Sequence, residues 1–358
     1  MPSLKEIKGR INSISSTLAI TSAMKMVAAA KLQKAQMAIQ NMLPYERRLH
    51  SMLIDLMGAM NISAAASEDG SVRGSGSAER GFDQSGDRLS LSNRHDLAGM
   101  DGAYSLMAQR EVRKVAIVAF ASNSSLCGAF NSNVIREATA VINEYRASGL
   151  GDADITVYSV GRKMAEAMKK LGFPSPADFT KMSDSPSYDA ASALAQELLD
   201  GFVSGRFDKV ELVYNHYKST SSQPTIRQTY LPLSLADATA DLQAGKIADS
   251  ASESDTNRVA EPVGAPVVRQ GSPTTEDLIV EPSKEELIAT LLPKVVRLRV
   301  FTTLLDSTAA EQAARTVAMQ LATDNGNDLL QELTLEYNKG RQQKITSEIL
   351  DLVGGSMQ

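Results

Sequence analysis

Apolar residues near the start of the chain recur at alternating steps of three and four residues. The positions are Leu4, Ile7, Ile11, Ile14 and Leu18. This spacing is typical of a helix that buries one narrow face against another helix. Ser3 and Glu6 have the spacing of a capping box, so we expect the helix to begin there. The pattern continues loosely to Met42, and Pro44 predicts a kink or a break because proline removes a backbone donor.

A second long helical pattern begins near Ser283, which with Glu286 repeats the capping-box spacing. Pro293 predicts a kink, and Asn325 with Gly326 predicts a looser stretch. The apolar seam consists of Leu291, Val295, Leu298, Thr302 and Leu305, then Leu330, Leu333 and Tyr337, then Ile345, Ile349 and Leu352. About 70 helical residues would span roughly 100 Å. Two terminal helices with matching seams are expected to pair antiparallel and to project from the rest of the molecule.

Strand and helix patterns alternate in the middle of the chain. The segments VRKVAIVAF, ADITVYSV, DKVELVYNHY and TIRQTYLPL are typical of strands, and three amphipathic segments between them are typical of helices. Gly149 and Gly172 follow two of these helices, as glycines at helix ends do. This alternation predicts a mostly parallel sheet covered on both faces. The expected fold is therefore α/β, with a long antiparallel coiled coil and a Rossmann-like domain.

Composition divides the chain into five parts. We expect a first coiled-coil helix over 1–60, the α/β domain over 111–235 and a second coiled-coil helix over 281–358. Residues 61–110 and 236–280 are rich in Ser, Gly, Ala and Asp and have few apolar anchors. Such segments cannot offset their ordering entropy by burial, so we expect the first to be mobile and the second to be a polar insertion.

Charge and composition exclude several functions. The net charge of −5 argues against nucleic-acid binding by the chain as a whole. The single cysteine, Cys127, rules out an intrachain disulfide, and the sequence contains no apolar run long enough for direct membrane insertion. Residues 1–50 carry eight basic and two acidic side chains. This excess indicates either a solvated helix face or a partner with acidic groups.

The sequence contains few candidates for catalytic or binding motifs. Cys127 follows a predicted strand, and His216 is the one histidine placed to act as its base, but a packed thiol is the more ordinary interpretation. The segment GRK at 161–163 opens a helix and could hold a phosphate, or it could simply form a turn. Neither nucleotide-binding glycine motif occurs, and no cluster has metal-ligand spacing. We therefore expect no catalytic residue, no cofactor and no metal site.

Both ends of the chain resemble the γ subunit family of F-type ATP synthases. The segments that carry the resemblance are LKEIKGRINSISSTLAITSAMKMVAAAKLQKAQ at the start, AARTVAMQLATDNGNDLLQELTLEYNKGRQQKITSEILDLVGG at the other end, and LCGAFN between them. The resemblance implies a rotating axle inside a ring of three α and three β subunits. It also implies an ε subunit and a membrane c-ring as further partners, on the cytoplasmic face of a bacterial inner membrane. The slim, alanine-rich segment over 19–36 suits an axle that must slide inside a sleeve.

The resemblance further implies a set of residues that couple rotation to catalysis in the ring. They are Met24, Lys25, Arg315, Arg341, Gln342, Thr346 and Glu348. Ordinary packing or solvation on a coiled coil is the alternative for each. Ser124 and Ser125 depart from the Arg-Gly pair that the family often carries before LCG. An independent enzyme with a helical dimerisation arm, or a coiled-coil scaffold unrelated to rotation, remains the competing hypothesis for the whole chain.

Overall fold

Two long helices frame a four-stranded sheet in the computed structural model, which describes residues 3–59, 106–233 and 284–356. The helices are α1 (Leu4–Ala59), α2 (Phe130–Ala147), α3 (Arg162–Lys170), α4 (Thr180–Asp184), α5 (Tyr188–Val203) and α6 (Lys284–Ser356). The strands are β1 (Val115–Phe120), β2 (Ile155–Val160), β3 (Lys209–Asn215) and β4 (Thr225–Leu231). A short 3-10 helix (Asp152–Asp154) precedes β2. The predicted helices and strands are all present, and among the described elements the short α4 and the 3-10 helix were not expected.

The seam predicted for α1 is confirmed, and it is longer than the apolar pattern suggests. Side chains at steps of three and four from Leu4 to Leu53 are buried or half-buried, while most of their neighbours are exposed. Through the alanine-rich stretch the same register passes through Thr21, Lys25 and Ala28. The packing therefore keeps a heptad period where the sequence has no large apolar residue to mark it. At the start of α1, the backbone N–H of Glu6 donates to Oγ of Ser3 at 3.2 Å, as the capping-box spacing predicts.

Contacts between α1 and α6 fix their antiparallel register. Oγ1 of Thr323 donates to Oγ1 of Thr21 at 3.0 Å. Gly326 faces Leu18, and a Cβ on that glycine would lie 2.7 Å from Cδ2 of the leucine. The loosening predicted at Asn325 and Gly326 is therefore wrong, because the missing side chain lets the two helices approach closely.

The seam of α6 ends earlier than the sequence suggests. Leu330, Leu333 and Tyr337 are half-buried as predicted, and Gly340 lies against Leu4 near the beginning of α1. Beyond that point the prediction is wrong, because the described part of α1 offers no surface to pack against. Ile345, Ile349 and Leu352 are accordingly 47%, 54% and 74% exposed.

Both long helices continue through an internal proline. Pro44 lies inside α1 and Pro293 inside α6. The break considered at Pro44 is therefore wrong. Leu49 and Leu53, which follow it, are buried in the main core, and this packing holds the helix together despite the lost backbone donor.

The sheet has the order β2-β1-β3-β4. The strand β1 pairs in parallel with β2 and β3, whereas β4 is an antiparallel edge strand beside β3. One face packs on α2 and α3, and the other packs on α5, α6 and the second half of α1. These findings confirm a mostly parallel sheet covered on both faces. Because α6 belongs both to the coiled coil and to this core, it joins the two parts of the molecule.

The two polar segments fall largely outside the described residues. Of the predicted segment 61–110, the structure describes 106–110, where Leu106 is buried in the core and its carbonyl accepts from the backbone N–H of Leu233 at 2.9 Å. The predicted insertion at 236–280 lies wholly outside the described residues.

Candidate functional site

The surface of the coiled coil beyond the α/β domain is slim and carries exposed apolar side chains among charged ones. Large side chains stand exposed on both helices there. They include Ile20, Met26, Val27 and Met37 on α1, with Leu321, Leu329 and Leu335 on α6. Mostly small residues separate the exposed residues on α1, with Lys31 and Lys34 between Val27 and Met37. An extended apolar surface of this kind marks an interaction site, because isolated soluble domains rarely leave one in water.

Four of the predicted coupling residues lie on the last part of α6. Arg341, Gln342, Thr346 and Glu348 are all exposed there. Oγ1 of Thr346 bonds the carbonyl of Gln342 at 2.9 Å, and Lys344 Nζ lies 3.7 Å from Oε1 of Glu348. Such exposed i,i+4 pairs contribute little to stability, so these side chains are available to a partner. Polar and exposed apolar side chains therefore lie together on the part of α6 beyond Gly340, where α1 no longer packs against it.

Met24 and Lys25 lie on the slim part of α1. Both are half-buried, and Lys25 occupies a position of the heptad seam. Their neighbours Met26 and Val27 are 65% and 57% exposed. The thin side chains here leave a broad accessible face around the two predicted residues.

Arg315 has a different environment, because it is buried against the α/β domain. Its Nη1 donates to the carbonyl of Ser125 at 2.7 Å, and its Nη2 donates to Oγ of Ser124 at 2.9 Å. The same nitrogen pairs with Oε1 of Glu311 at 2.5 Å. Burial raises the pKa of Glu311, although the arginine opposes this effect. Arg315 is thus held inside the molecule, and it fixes the loop that carries Ser124 and Ser125.

This loop occupies the place where related α/β folds bind ligands. It follows β1 at the switch point of the sheet, outside the carboxyl ends of the parallel strands. Here Cys127 and Phe130 pack with Ala310 of α6, and Ala314 and Tyr217 cover them. The shaft helix therefore fills the crevice that a nucleotide would need.

The weak catalytic and phosphate-binding candidates can be placed in the same way. Cys127 is 1% exposed, and its Sγ accepts from Nδ2 of Asn131 at 3.2 Å. His216 instead bonds Asp306 through Nδ1 at 2.6 Å. The packed-thiol interpretation therefore describes Cys127, because its hydrogen-bond partners do not include the histidine.

The GRK segment forms a closed turn. The backbone N–H of Arg162 donates to Oδ1 of Asn123 at 2.8 Å, and that of Lys163 to the carbonyl of Ser122 at 3.1 Å. Gly161 adopts φ 97° with its Cα against the carbonyl of Ala121, where a Cβ would lie 2.1 Å from that oxygen. These two backbone donors are therefore already used within the protein. Within residues 3–59, 106–233 and 284–356, no cluster of side chains could hold a metal ion.

A set of polar contacts that sequence reasoning missed joins the shaft to the domain. Asp306 of α6 accepts from the backbone N–H of Tyr217 at 2.9 Å, in addition to its bond with His216. Nε2 of Gln36, on α1, donates to the hydroxyl of Tyr217 at 2.7 Å. The only sequence signal was a histidine at the end of a strand. Asp306 lies 90 positions from His216, and Gln36 lies 181 positions from Tyr217, so no local pattern marks these contacts.

None of the described helices is long and apolar enough to cross a membrane.

Comparison with known proteins gives a consistent result. The family model described as ATP synthase matches residues 3–357. The chain is 47% identical to a Phocaeicola vulgatus protein named ATP synthase gamma chain, and 45% identical to one of the same name from Bacteroides thetaiotaomicron. Each alignment covers 100% of both chains.

Solved structures share the fold at lower identity. The chain is similar to one in the rotor of Euglena gracilis mitochondrial ATP synthase, with a TM-score of 0.52, 18% identity and coverage of 96% of this chain and 98% of that one. A second match, in an OSCP/F1/c-ring structure from the same organism, has a TM-score of 0.52, 18% identity and coverage of 99% and 93%. At this identity the likeness concerns the fold alone.

Proposed function

The chain belongs to the family of ATP synthase gamma chains, the central-stalk subunits of that enzyme, and we propose that it works as an axle that carries rotation from a membrane ring to catalytic subunits. Proton flow would turn the ring and the axle together. The asymmetric axle would then drive the catalytic sites of three β subunits through different nucleotide states in turn. The same coupling would run backwards during ATP hydrolysis.

The observation that carries this proposal is the shape and surface of the coiled coil. It projects from the α/β domain, its α1 face is slim, and large apolar side chains stand exposed along it among charged ones. A sleeve of α and β subunits in a 3:3 ring would cover this surface. The shaft would then make few interlocking side-chain contacts and few strong ion pairs with the ring, so that it is not held at one angle.

The remaining partners are part of the same proposal. We propose that the α/β domain and the second half of α1 form the base, which contacts an ε subunit and the c-ring. In support, the Euglena matches are to chains from a rotor and from an F1 and c-ring assembly. The subunit would be a peripheral member of a complex on the cytoplasmic face of a bacterial inner membrane, and the complex would supply its attachment.

We propose that the seven coupling residues act in three places. Arg341, Gln342, Thr346 and Glu348 would contact the innermost surface of the ring. Met24 and Lys25 would face a β-subunit loop along the shaft. Arg315 would act indirectly, since its guanidinium holds the loop at Ser124 and Ser125.

The subunit is proposed to have no catalytic site of its own. The competing hypothesis, an independent enzyme with a Rossmann-like domain, is disfavoured by the filled crevice beyond β1. Co-expression with α and β subunits separates the two. A rotor subunit enters a particle of 3:3:1 composition and shows no nucleotide turnover when purified alone. Turnover by the isolated chain, without such a particle, would support the enzyme hypothesis instead.

Replacing Met24 by lysine tests the role assigned to the slim part of the shaft. A charge on this apolar face should reduce ATP-driven ion pumping relative to ATP hydrolysis in membrane vesicles, while the particle still assembles. Met24→Leu is the matched control, because it keeps an apolar side chain of similar size at this half-buried position. Equal pumping-to-hydrolysis ratios in Met24→Lys and the wild type would remove Met24 from the coupling surface.

A further inference from the structure

The shaft leaves the α/β domain over a short stretch of α6. Most of this helix from Ile288 to Met319 is buried or half-buried, whereas Leu321 is 58% exposed. Within this stretch, polar contacts tie the helix to the domain near Asp306 and near Arg315. Torque that passes along α6 between the projecting coiled coil and the base crosses this stretch.

The loop after β3 contacts both helices of the shaft at one level. Its Tyr217 packs against a cluster of four small or slim seam residues. They are Leu32 and Ala35 of α1 with Ala309 and Ala313 of α6. The ring of Tyr217, a side chain of the domain, is therefore seated against residues of both helices.

Three hydrogen bonds fix this seating. Asp306 uses both carboxylate oxygens, one for Nδ1 of His216 at 2.6 Å and one for the N–H of Tyr217 at 2.9 Å. The hydroxyl of Tyr217 accepts from Gln36 at 2.7 Å. One bond therefore reaches α1 and two reach α6, so the loop restrains rotation of either helix against the domain.

We propose that His216 and Tyr217 form a clamp that fixes the angle of the shaft relative to the α/β domain, by holding α6 through Asp306 and α1 through Gln36. This proposal rests on the rotor function proposed above. His216, Tyr217, Asp306 and Gln36 act as positioning residues, because they contact no nucleotide and act through the shaft. A stiff joint at this level would keep rotation of the base and rotation of the shaft in step.

The clamp should also respond to pH. The hydrogen bond to Asp306 and the negative charge of that carboxylate raise the pKa of His216. Burial and Lys218 of the same loop lower it by less, so the net shift is upward. The charged pair between His216 and Asp306 therefore persists to higher pH than for a free histidine. The charged pair is lost as pH rises through the raised pKa of His216. The neutral ring can still donate a hydrogen bond from Nδ1 to Asp306.

Hydrogen exchange in the complex assembled with α and β subunits tests the clamp directly. In Asp306→Asn the amide of Tyr217 loses a charged acceptor, so its exchange should become about tenfold faster or more. Asp152→Asn is the matched control, since it removes an exposed arginine pair, Arg146–Asp152 at 2.7 Å, within the domain. That control should leave exchange at Tyr217 unchanged.

A second experiment tests the mechanical role of the clamp. The ring of α and β subunits is immobilised, the shaft is stalled, and the angular spread of a probe on the α/β domain is measured. The angular spread should broaden in Asp306→Asn. It should also broaden in Tyr217→Phe, which keeps the aromatic ring and loses the hydrogen bond to Gln36. It should broaden with rising pH in the wild type but not in His216→Gln, which cannot be protonated. Unchanged exchange and unchanged spread in Asp306→Asn would overturn the clamp. A wild-type complex that never rotates with ATP would instead overturn the rotor function.

Discussion

Arg315 and Arg10 each pair with a glutamate four residues earlier on a helix, but their surroundings differ. Side chains of the Glu311–Arg315 pair are 9% and 10% exposed, whereas those of Glu6–Arg10 are 52% and 61% exposed. Replacing Arg315 by alanine leaves Glu311 buried without its cation. We expect this to lower the free energy of unfolding by about 3–5 kcal/mol. Urea denaturation of the isolated chain in dilute solution measures the change.

The exposed pair supplies the control for this prediction. Arg10→Ala should change the free energy of unfolding by less than about 1 kcal/mol, because water screens that pair. Adding Glu311→Gln to Arg315→Ala should recover part of the loss, since a neutral amide is cheaper to bury than an unpaired carboxylate. Equal effects of Arg315→Ala and Arg10→Ala would contradict the buried ion pair.

His50 should make stability depend on pH. Burial, and then the charge of the nearby Arg299, lower the pKa of His50 from 6.5 to about 4. The native state therefore binds this proton less readily than the unfolded state does. Its contribution is complete above pH 6.5 and is lost as pH falls towards 4, by about 3 kcal/mol in total.

Comparison with His50→Leu isolates this effect from the other titrating groups. Unfolding free energies of the two proteins should converge or cross as pH falls from 6.5 to 4, because leucine binds no proton. A constant difference between them across that range would show that His50 is protonated as easily in the native state as in the unfolded chain.

Among the helices, two glycines of the coiled coil show how closely the shaft is packed. A Cβ on Gly9 would meet nothing within 4 Å, whereas one on Gly326 would lie 2.7 Å from Cδ2 of Leu18. Gly9→Ala should stabilise the fold by up to about 1 kcal/mol through helix propensity. Gly326→Ala should stabilise the fold less than Gly9→Ala does, or should destabilise it, because Leu18 must move.

The interfering side chain can be removed to check this explanation. In a Leu18→Ala background, Gly326→Ala should become as favourable as Gly9→Ala when both are measured by urea denaturation. If Gly326→Ala is equally favourable with and without Leu18, the helices are farther apart at this level than the structure shows.

The order of helices and strands could be predicted from the sequence because each has a local periodic signal. The seam of α1 and the alternation of strands and helices depend on nearest-neighbour spacing, which one sequence displays. Three features could not be predicted this way. The heptad through Thr21 and Lys25 lacks apolar markers, the role of Gly326 depends on Leu18 of the other helix, and the seam beyond Gly340 ends because its partner begins there.

The candidate site was predictable to a smaller degree. Resemblance marked residues on the shaft, and the structure places Arg341 on an exposed helix and Arg315 in a buried contact. Sequence spacing could not distinguish these environments, since both arginines follow similar helical patterns. The clamp at Tyr217 was missed entirely, because it joins a loop to two helices that are distant in sequence.

At the scale of the whole molecule, the projecting end of α6 has side chains that no described part of the chain covers. Ile345 and Ile349 are 47% and 54% exposed, so replacing both by glutamate removes no internal packing. We expect the free energy of unfolding to change by less than about 1 kcal/mol for the pair. Solubility of the isolated chain should rise, because an exposed apolar patch is lost. If an apolar sleeve encloses this segment, the same double variant should fail to assemble, or should assemble poorly, with α and β subunits.

Ser347→Glu provides the matched control, because it adds charge to the same stretch at a position that is already polar and exposed. It should tolerate assembly better than the double variant does. Quantifying the 3:3:1 particle after co-expression, alongside urea denaturation of the isolated chains, separates folding from enclosure. Normal assembly of Ile345→Glu/Ile349→Glu would mean that the end of the shaft stays in water within the complex. A large loss of stability in the isolated variant would mean instead that the chain itself covers these residues. Normal stability with lost assembly is the one combination that an enclosed axle predicts, since the surface is then made for the partner and not for the fold.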